Sequence, residues 1–280
     1  MELRSLARST NPGDVSWKKA KTAILSCASE LRDIAGQSTP PIDLAPILPL
    51  RRITRELYVE SQNTPEAFLM PTQEGFSIGV RPNQSHKRER FSKAHELAHT
   101  FFYDLTATPP RKLLRSDDPL VHLKEEDICH AFASELLFPE SSVAHSVELL
   151  LGQSDAEVVR ALSSEYTVSA EVVIRHLLTK QKPFAATVAL INYSRAARPA
   201  FRKWYGGSVK KPRVSELRLL SAVLDAAVRG SSQLAKVRDA NQRLAAISWS
   251  TRADKNLQAG DYLMVDFQPS RRLDRLSDAS

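Results

Sequence analysis

Apolar residues recur at helical spacing over residues 14–36, where Trp17, Ile24, Leu25, Ala28, Leu31 and Ile34 share one face and Gly36 supplies a stop. Pro40-Pro41 breaks that pattern, and the following IDLAPIL reads as a short helix. Three short apolar runs come next, ITRELYVE, EAFLMPT and GFSIGVRP, and their Asn, Pro and Gly boundaries predict strands. Helical spacing returns over 88–103 and 121–137, and the proline-rich stretch between them, 104–120, reads as a loop. Residues 155–180 read as two short helices around a tight connection. After Pro183 the composition shifts. FAATVALINY predicts a strand, 215–229 a helix with Leu217, Leu220, Val223, Leu224 and Ala227 in phase, and RLAAISWS and DYLMVDF two further strands. The tail RRLDRLSDAS reads as frayed. The pattern predicts an α+β chain: a first domain over 1–150 with a small sheet, a helical segment over 151–182, and a smaller α/β domain over 183–280.

Composition changes this picture little. The chain has 280 residues, 42% of them apolar and 25% charged, ordinary values for a globular protein. No run approaches the roughly 20 apolar residues of a membrane helix, and MELRSLARSTNPG lacks the apolar core of a signal peptide. Cys27 and Cys129 lie far apart and form neither a CxxC nor a disulfide framework. Together these features predict a cytoplasmic protein with no membrane partner. The net charge of +7 favours acidic partners, nucleic acid among them. Phe184 to Ser215 contains no acidic residue, and Arg198, Arg202, Lys203, Lys210 and Lys211 surround Trp204 there. Such a stretch suits a phosphate backbone with stacked bases, or an acidic protein face. A solvated basic loop fits the charge pattern equally well.

The chemistry concentrates at His95-Glu96-Leu97-Ala98-His99, inside a stretch read as helix. Residues four apart share a helix face, so both imidazoles reach one ion. Zinc accepts neutral imidazole nitrogen and prefers a tetrahedral shell. Glu96, beside the first ligand, is placed to take a proton from a water and pass it to a leaving amine. The bland alternative is an amphipathic helix with two surface histidines; Ala94, Leu97, Ala98, Phe101 and Phe102 argue instead for a helix seated in a core. A catalytic zinc site uses three protein ligands and one open position. Glu126, in LKEEDICHAFASELLFP, is the best third donor. Glu125 is its immediate rival, and His122 and His130 are weaker ones; His130 shares a helix face with Glu126. Tyr103, His122 and Arg90 are candidate helpers for a developing oxyanion or for substrate. A His₂Glu shell also accepts other divalent metals.

RFSKAHELAHTFF followed by EEDICHAFASELLFPES resembles the ImmA/IrrE family of metallopeptidases. Arg90, Phe91, Ala94, His95, Glu96, Leu97 and His99 match the family's first pattern; Glu126, Phe132, Ala133, Leu136, Leu137 and Pro139 match its second. The resemblance implies that Glu126 is the third zinc ligand. Ala98 stands where the family usually has Gly, and Cys129-His130 where it has Ala-Asn. SSEYTVSAEVVIRHL looks like the helix-turn-helix segment that follows such domains, with Tyr166 to Ser169 as the turn and Ser169 as cap; a helical hairpin of pure scaffold fits the same pattern. The layout is similar to IrrE proteins, whose last domain is GAF-like. The resemblance implies an endopeptidase that cuts a helix-turn-helix repressor and so switches on stress or mobile-element genes. The competing expectations are a DNA-binding regulator with a structural or sensory zinc site, and a component of a toxin–antitoxin or phage module.

Overall fold

A computed structural model describes residues 16–60, 65–113, 118–150 and 155–180, and five strands between 187 and 269. Its Cα packing forms two compact units, one of residues 1–146 with 162–169 and the other of 147–161 with 170–280. No described helix is long and apolar enough to cross a membrane.

The first unit opens with helix α1, Trp17–Ile34. Its buried stripe is Ala20, Ile24, Ala28 and Leu31, a spacing of four, four and three that follows one face. Ile34, which the periodicity puts on that face, is 70% exposed because the helix runs past its support there. The helix ends at Gly36, in the left-handed region at φ +68. The Gly36 N–H donates to Asp33 O and the Gln37 N–H to Arg32 O, closing the last turn. IDLAPIL forms a turn instead of the expected helix. Pro46 has no N–H to give a helix, and the Asp43 carboxylate takes the Ala45 N–H at 3.0 Å. A 3₁₀ helix, Leu48–Arg51, follows.

The three expected strands are β1 (Ile53–Tyr58), β2 (Ala67–Thr72) and β3 (Gly75–Val80), in the order β1-β3-β2. Central β3 is buried throughout and runs parallel to β1 and antiparallel to β2. Gly75 starts it at φ +146, and a Cβ there would lie 2.2 Å from the Arg52 carbonyl oxygen. That carbonyl accepts the Phe76 N–H, so the approach is part of the sheet.

Helix α2, His86–His99, packs on β2 and β3 and against helix α3, Pro119–Leu137. Ser92, Ala94, His95, Glu96, Leu97 and Ala98 are all buried, so the second half of α2 runs through the middle of the unit. The Arg51 guanidinium closes its C-terminal end, donating to Thr100 Oγ1 and Thr100 O at 3.0 Å each and lying 4.1 Å over the Phe101 ring. Helix α3 starts at Asp118, whose carboxylate accepts the Leu120 N–H at 2.9 Å, with Pro119 in the first turn. The stretch 104–120, read as a loop, carries one two-residue pairing: β4 (Tyr103–Asp104) with β5 (Arg111–Lys112). Helix α1 packs on α3, fixed by the Arg32 guanidinium donating to Glu135 O at 2.7 Å.

Three further helices follow: α4 (Glu140–Leu149), α5 (Asp155–Glu165) and α6 (Ala170–Lys180). Residues 166–169 join α5 to α6, the connection expected from sequence, with Thr167 at φ +51. In the first unit the Tyr166 ring lies edge-on against Phe138, and its hydroxyl meets Ser146 Oγ at 3.1 Å. The second unit holds an antiparallel five-stranded sheet of β6 (Thr187–Asn192), β7 (Ala200–Tyr205), β8 (Leu234–Asp239), β9 (Gln242–Ser250) and β10 (Tyr262–Pro269), in the order β7-β6-β10-β9-β8. β6, β9 and β10 are the expected strands; β7 and β8 are additions. The expected helix over 215–229 lies outside the described residues.

The two left-handed glycines separate conformation from crowding. Nothing lies within 4 Å of a Cβ at Gly36, whereas one at Gly75 meets backbone. Gly36→Ala is expected to cost about 1 kcal/mol and Gly75→Ala at least about 2 kcal/mol, measured by urea unfolding. Equal losses would show that the contact between Gly75 and Arg52 carries no cost of its own.

Candidate metal centre

Helix periodicity puts His95 and His99 on one face of α2, and packing turns that face toward α3. The two Nε2 atoms lie 3.2 Å apart. From α3, Glu126 Oε2 lies 3.1 Å from His95 Nε2, and Glu126 Oε1 lies 3.4 Å from His99 Nε2. Two imidazole nitrogens thus meet the two oxygens of one carboxylate, each nitrogen close to a different oxygen. A tetrahedral zinc shell with bonds of about 2.0–2.1 Å separates its donors by about 3.3–3.4 Å, so the donor set fits such an ion. One donor atom each of His95, Glu96 and His99 lies within 4.8 Å of the others, and the same holds for His95, Glu126 and His130.

Glu125 and Glu126 are neighbours in sequence with different surroundings. The Glu125 side chain is 4% exposed, and both its oxygens are occupied: Oε1 is 2.8 Å from His99 Nδ1 and Oε2 is 3.0 Å from Lys112 Nζ. The Glu126 side chain is 31% exposed and faces the two Nε2 atoms. Glu125 therefore holds the far side of the His99 ring, a contact that leaves His99 Nε2 turned to the centre. Lys112 carries no motif and was not foreseen. It reaches Glu125 because β5 pairs with β4, Lys112 lying opposite Tyr103. His95 Nδ1 is buried without a hydrogen-bond partner among the described residues.

The charges follow from this packing. Hydrogen bonds from His95 and His99 hold the Glu126 carboxyl well below the usual range, against its burial. Burial pushes Glu125 up, but His99 and Lys112 outweigh it and the net shift is downward. For His99, burial pulls downward, and hydrogen bonds with Cys129, Glu125 and Glu126 outweigh it, raising the imidazole to about 12. Burial pushes the Cys129 thiol up to about 11. Burial also raises the Glu96 carboxyl; the His99 and His95 charges and a hydrogen bond with the Leu69 backbone of edge strand β2 pull the other way.

The candidate helpers lie at different depths. His122 Nδ1 is 3.9 Å from Glu126 Oε1, on a side chain 67% exposed, so it stands at the rim. The Tyr103 ring packs edge-on against Phe76, centroids 5.1 Å apart. The Arg90 guanidinium donates to the Ile42 carbonyl at 2.7 Å, joining α2 to the turn before the 3₁₀ helix. Of the basic segment, Arg202, Lys203 and Trp204 lie in β7 of the second unit, while Arg198, Lys210 and Lys211 lie outside the described residues.

No curated protein matches the chain. Among solved structures, a Mycobacterium tuberculosis transcriptional regulator is similar at 16% identity and a TM-score of 0.49, over 88% of this chain and 86% of that one. Residues 55–178 match the peptidase M78 family model, described as the IrrE N-terminal-like domain. That span contains the His95–His99 pair, Glu125, Glu126 and Lys112, so these residues lie within a segment that matches the IrrE N-terminal-like domain.

Proposed function

We propose that this chain is a zinc-dependent endopeptidase, with His95, His99 and Glu126 holding the metal and Glu96 acting as the base. The observation that carries this reading is the meeting of two imidazole nitrogens, 3.2 Å apart, with the Glu126 carboxylate, whose oxygens lie 3.1 Å from one and 3.4 Å from the other, beside the buried Glu96 carboxyl. An ion in that shell supplies Lewis acidity, polarising a scissile carbonyl and acidifying water. Glu96 takes the proton from the attacking water and gives it to the leaving amine, and burial, by raising its carboxyl, brings it nearer to neutral pH as a proton carrier. Glu125 and Lys112 position the His99 ring. His122, at the rim, is the best placed of the candidate oxyanion helpers. Other divalent ions suit the same donors.

The substrate that the family resemblance supports is a protein, a helix-turn-helix repressor whose cleavage releases stress or mobile-element genes in the cytoplasm. Under the same reading 1–150 is the peptidase domain, 151–182 a helix-turn-helix segment and 183–280 a GAF-like sensory domain. The α5–α6 pair with its four-residue connection, and the five-stranded sheet that follows, are compatible with those assignments. The helix pair also favours a second reading, DNA binding through 155–180 with a regulatory metal, in which Arg198, Arg202, Lys203, Trp204, Lys210 and Lys211 add phosphate or partner contacts. A component of a phage or toxin–antitoxin module is compatible with either.

Equilibrium titration is expected to find about one zinc per chain. Glu126→Ala should abolish that binding, whereas Glu125→Gln, which removes only the support of His99, should weaken it about 10–100-fold. A wild-type protein that binds no zinc would end the peptidase reading and leave DNA binding by 155–180 in front. With a quenched-fluorescence peptide library as substrate, Glu96→Gln is expected to keep the metal and lose about 10²–10⁴-fold in hydrolysis rate. Undiminished hydrolysis would remove Glu96 from the chemistry.

A further inference from the structure

Two helices face each other across the site, and each carries a pair of metal-binding side chains four residues apart. On α2 the pair is His95 and His99; on α3 it is Glu126 and His130. One turn of helix brings each pair to a single face, so packing α2 against α3 sets four donors opposite one another. Three of the four form the shell described above. His130 is the fourth. It stands in the Cys129-His130 pair, where the chain departs from the family pattern.

The contacts place His130 at the site. Its ring lies against the His95 ring, centroids 4.5 Å apart at 56°. One donor atom each of His130, His95 and Glu126 lies within 4.8 Å of the others. Phe91 stacks on His130 at 5.8 Å and 25°, an aromatic wall beside an exposed residue. His122, the other histidine of α3 near the cluster, is less closely placed: its side chain is 67% exposed, and its Nδ1 lies 3.9 Å from Glu126 Oε1.

We propose that His130 is a fourth protein ligand, closing the metal shell of His95, His99 and Glu126 in the resting protein. This deepens the peptidase reading and rests on it. Four protein ligands make a closed site, whereas catalysis needs one position open to water or substrate. The resting protein is then latent, and substrate or a partner must displace His130. Because His130 is the exposed member of the set, it is the ligand that can leave without unfolding the core.

The test compares the wild type with His130→Asn and with His130→Phe, which keeps a ring against Phe91. Zinc affinity is measured by competition with a chromogenic chelator, and the number of imidazoles on the bound ion by X-ray absorption. Circular dichroism checks that each variant is folded. Three imidazoles are expected in the wild type and two in both variants, with affinity falling about 10–100-fold and peptide hydrolysis rising. Two imidazoles in the wild type with unchanged affinity in the variants would overturn the proposal. His95→Ala separates the two levels. Loss of zinc in that variant keeps the three-residue site even if His130 proves to be a bystander, whereas unchanged zinc binding would sink the site and the closing ligand together.

Discussion

The second half of α2 is a buried helix that carries His95, Glu96 and His99, and the rest of the first unit follows from that. Buried polar groups are tolerated only when hydrogen-bonded or paired, because water is no longer available to them. Each side of α2 therefore presents a polar partner set within an apolar surface. Helix α3 brings Glu125 and Glu126 among Ile128, Phe132, Ala133 and Leu136. Edge strand β2 brings the Leu69 backbone to Glu96. The two-residue ribbon of β4 and β5 brings Lys112 to Glu125. The apolar residues set the register of these elements, and the polar ones make that register worth keeping.

Neighbouring carboxylates show how that register assigns roles. Successive helix residues point about 100° apart, so Glu125 turns inward and Glu126 toward the opening. Inward, Glu125 has each oxygen paired, one with His99 Nδ1 and the other with Lys112 Nζ. Toward the opening, Glu126 spans both Nε2 atoms and keeps contact with solvent. A positive charge on Lys112 makes the buried carboxylate tolerable, and Glu125 in turn holds His99. The chain from Lys112 through Glu125 to His99 is thus one electrostatic unit, and disturbing its far end displaces the ring at its near end.

Local pattern made the His95–His99 pair legible, because both residues lie within one turn of one helix. The three strands of the first sheet were legible for the same reason: their apolar runs are short and clearly bounded. Choosing between Glu125 and Glu126 required the rotation of α3 about its axis, a tertiary quantity that side-chain type does not carry; family resemblance supplied it. Lys112 was out of reach, since a two-residue strand in a proline-rich stretch has no periodicity to detect. IDLAPIL misled because its apolar spacing suits a helix while Pro46 and the Asp43 turn do not. Arg90 shows a similar limit: a charged residue beside a metal motif reads as chemistry, yet its guanidinium holds the Ile42 carbonyl.

Glu96 and His130 mark the two sides of the site, and their burial is opposite. Glu96 is 8% exposed beneath β2, so its carboxyl is raised by lost hydration and steadied by the Leu69 backbone. A carboxyl raised in this way takes up a proton more readily than an exposed one, which suits the proposed role of Glu96 as base. His130 is exposed and lies against the Phe91 and His95 rings. A buried carboxyl beneath the sheet edge and an exposed imidazole on α3 are the arrangement that the proposed closing ligand requires, since only the exposed member lies outside the core.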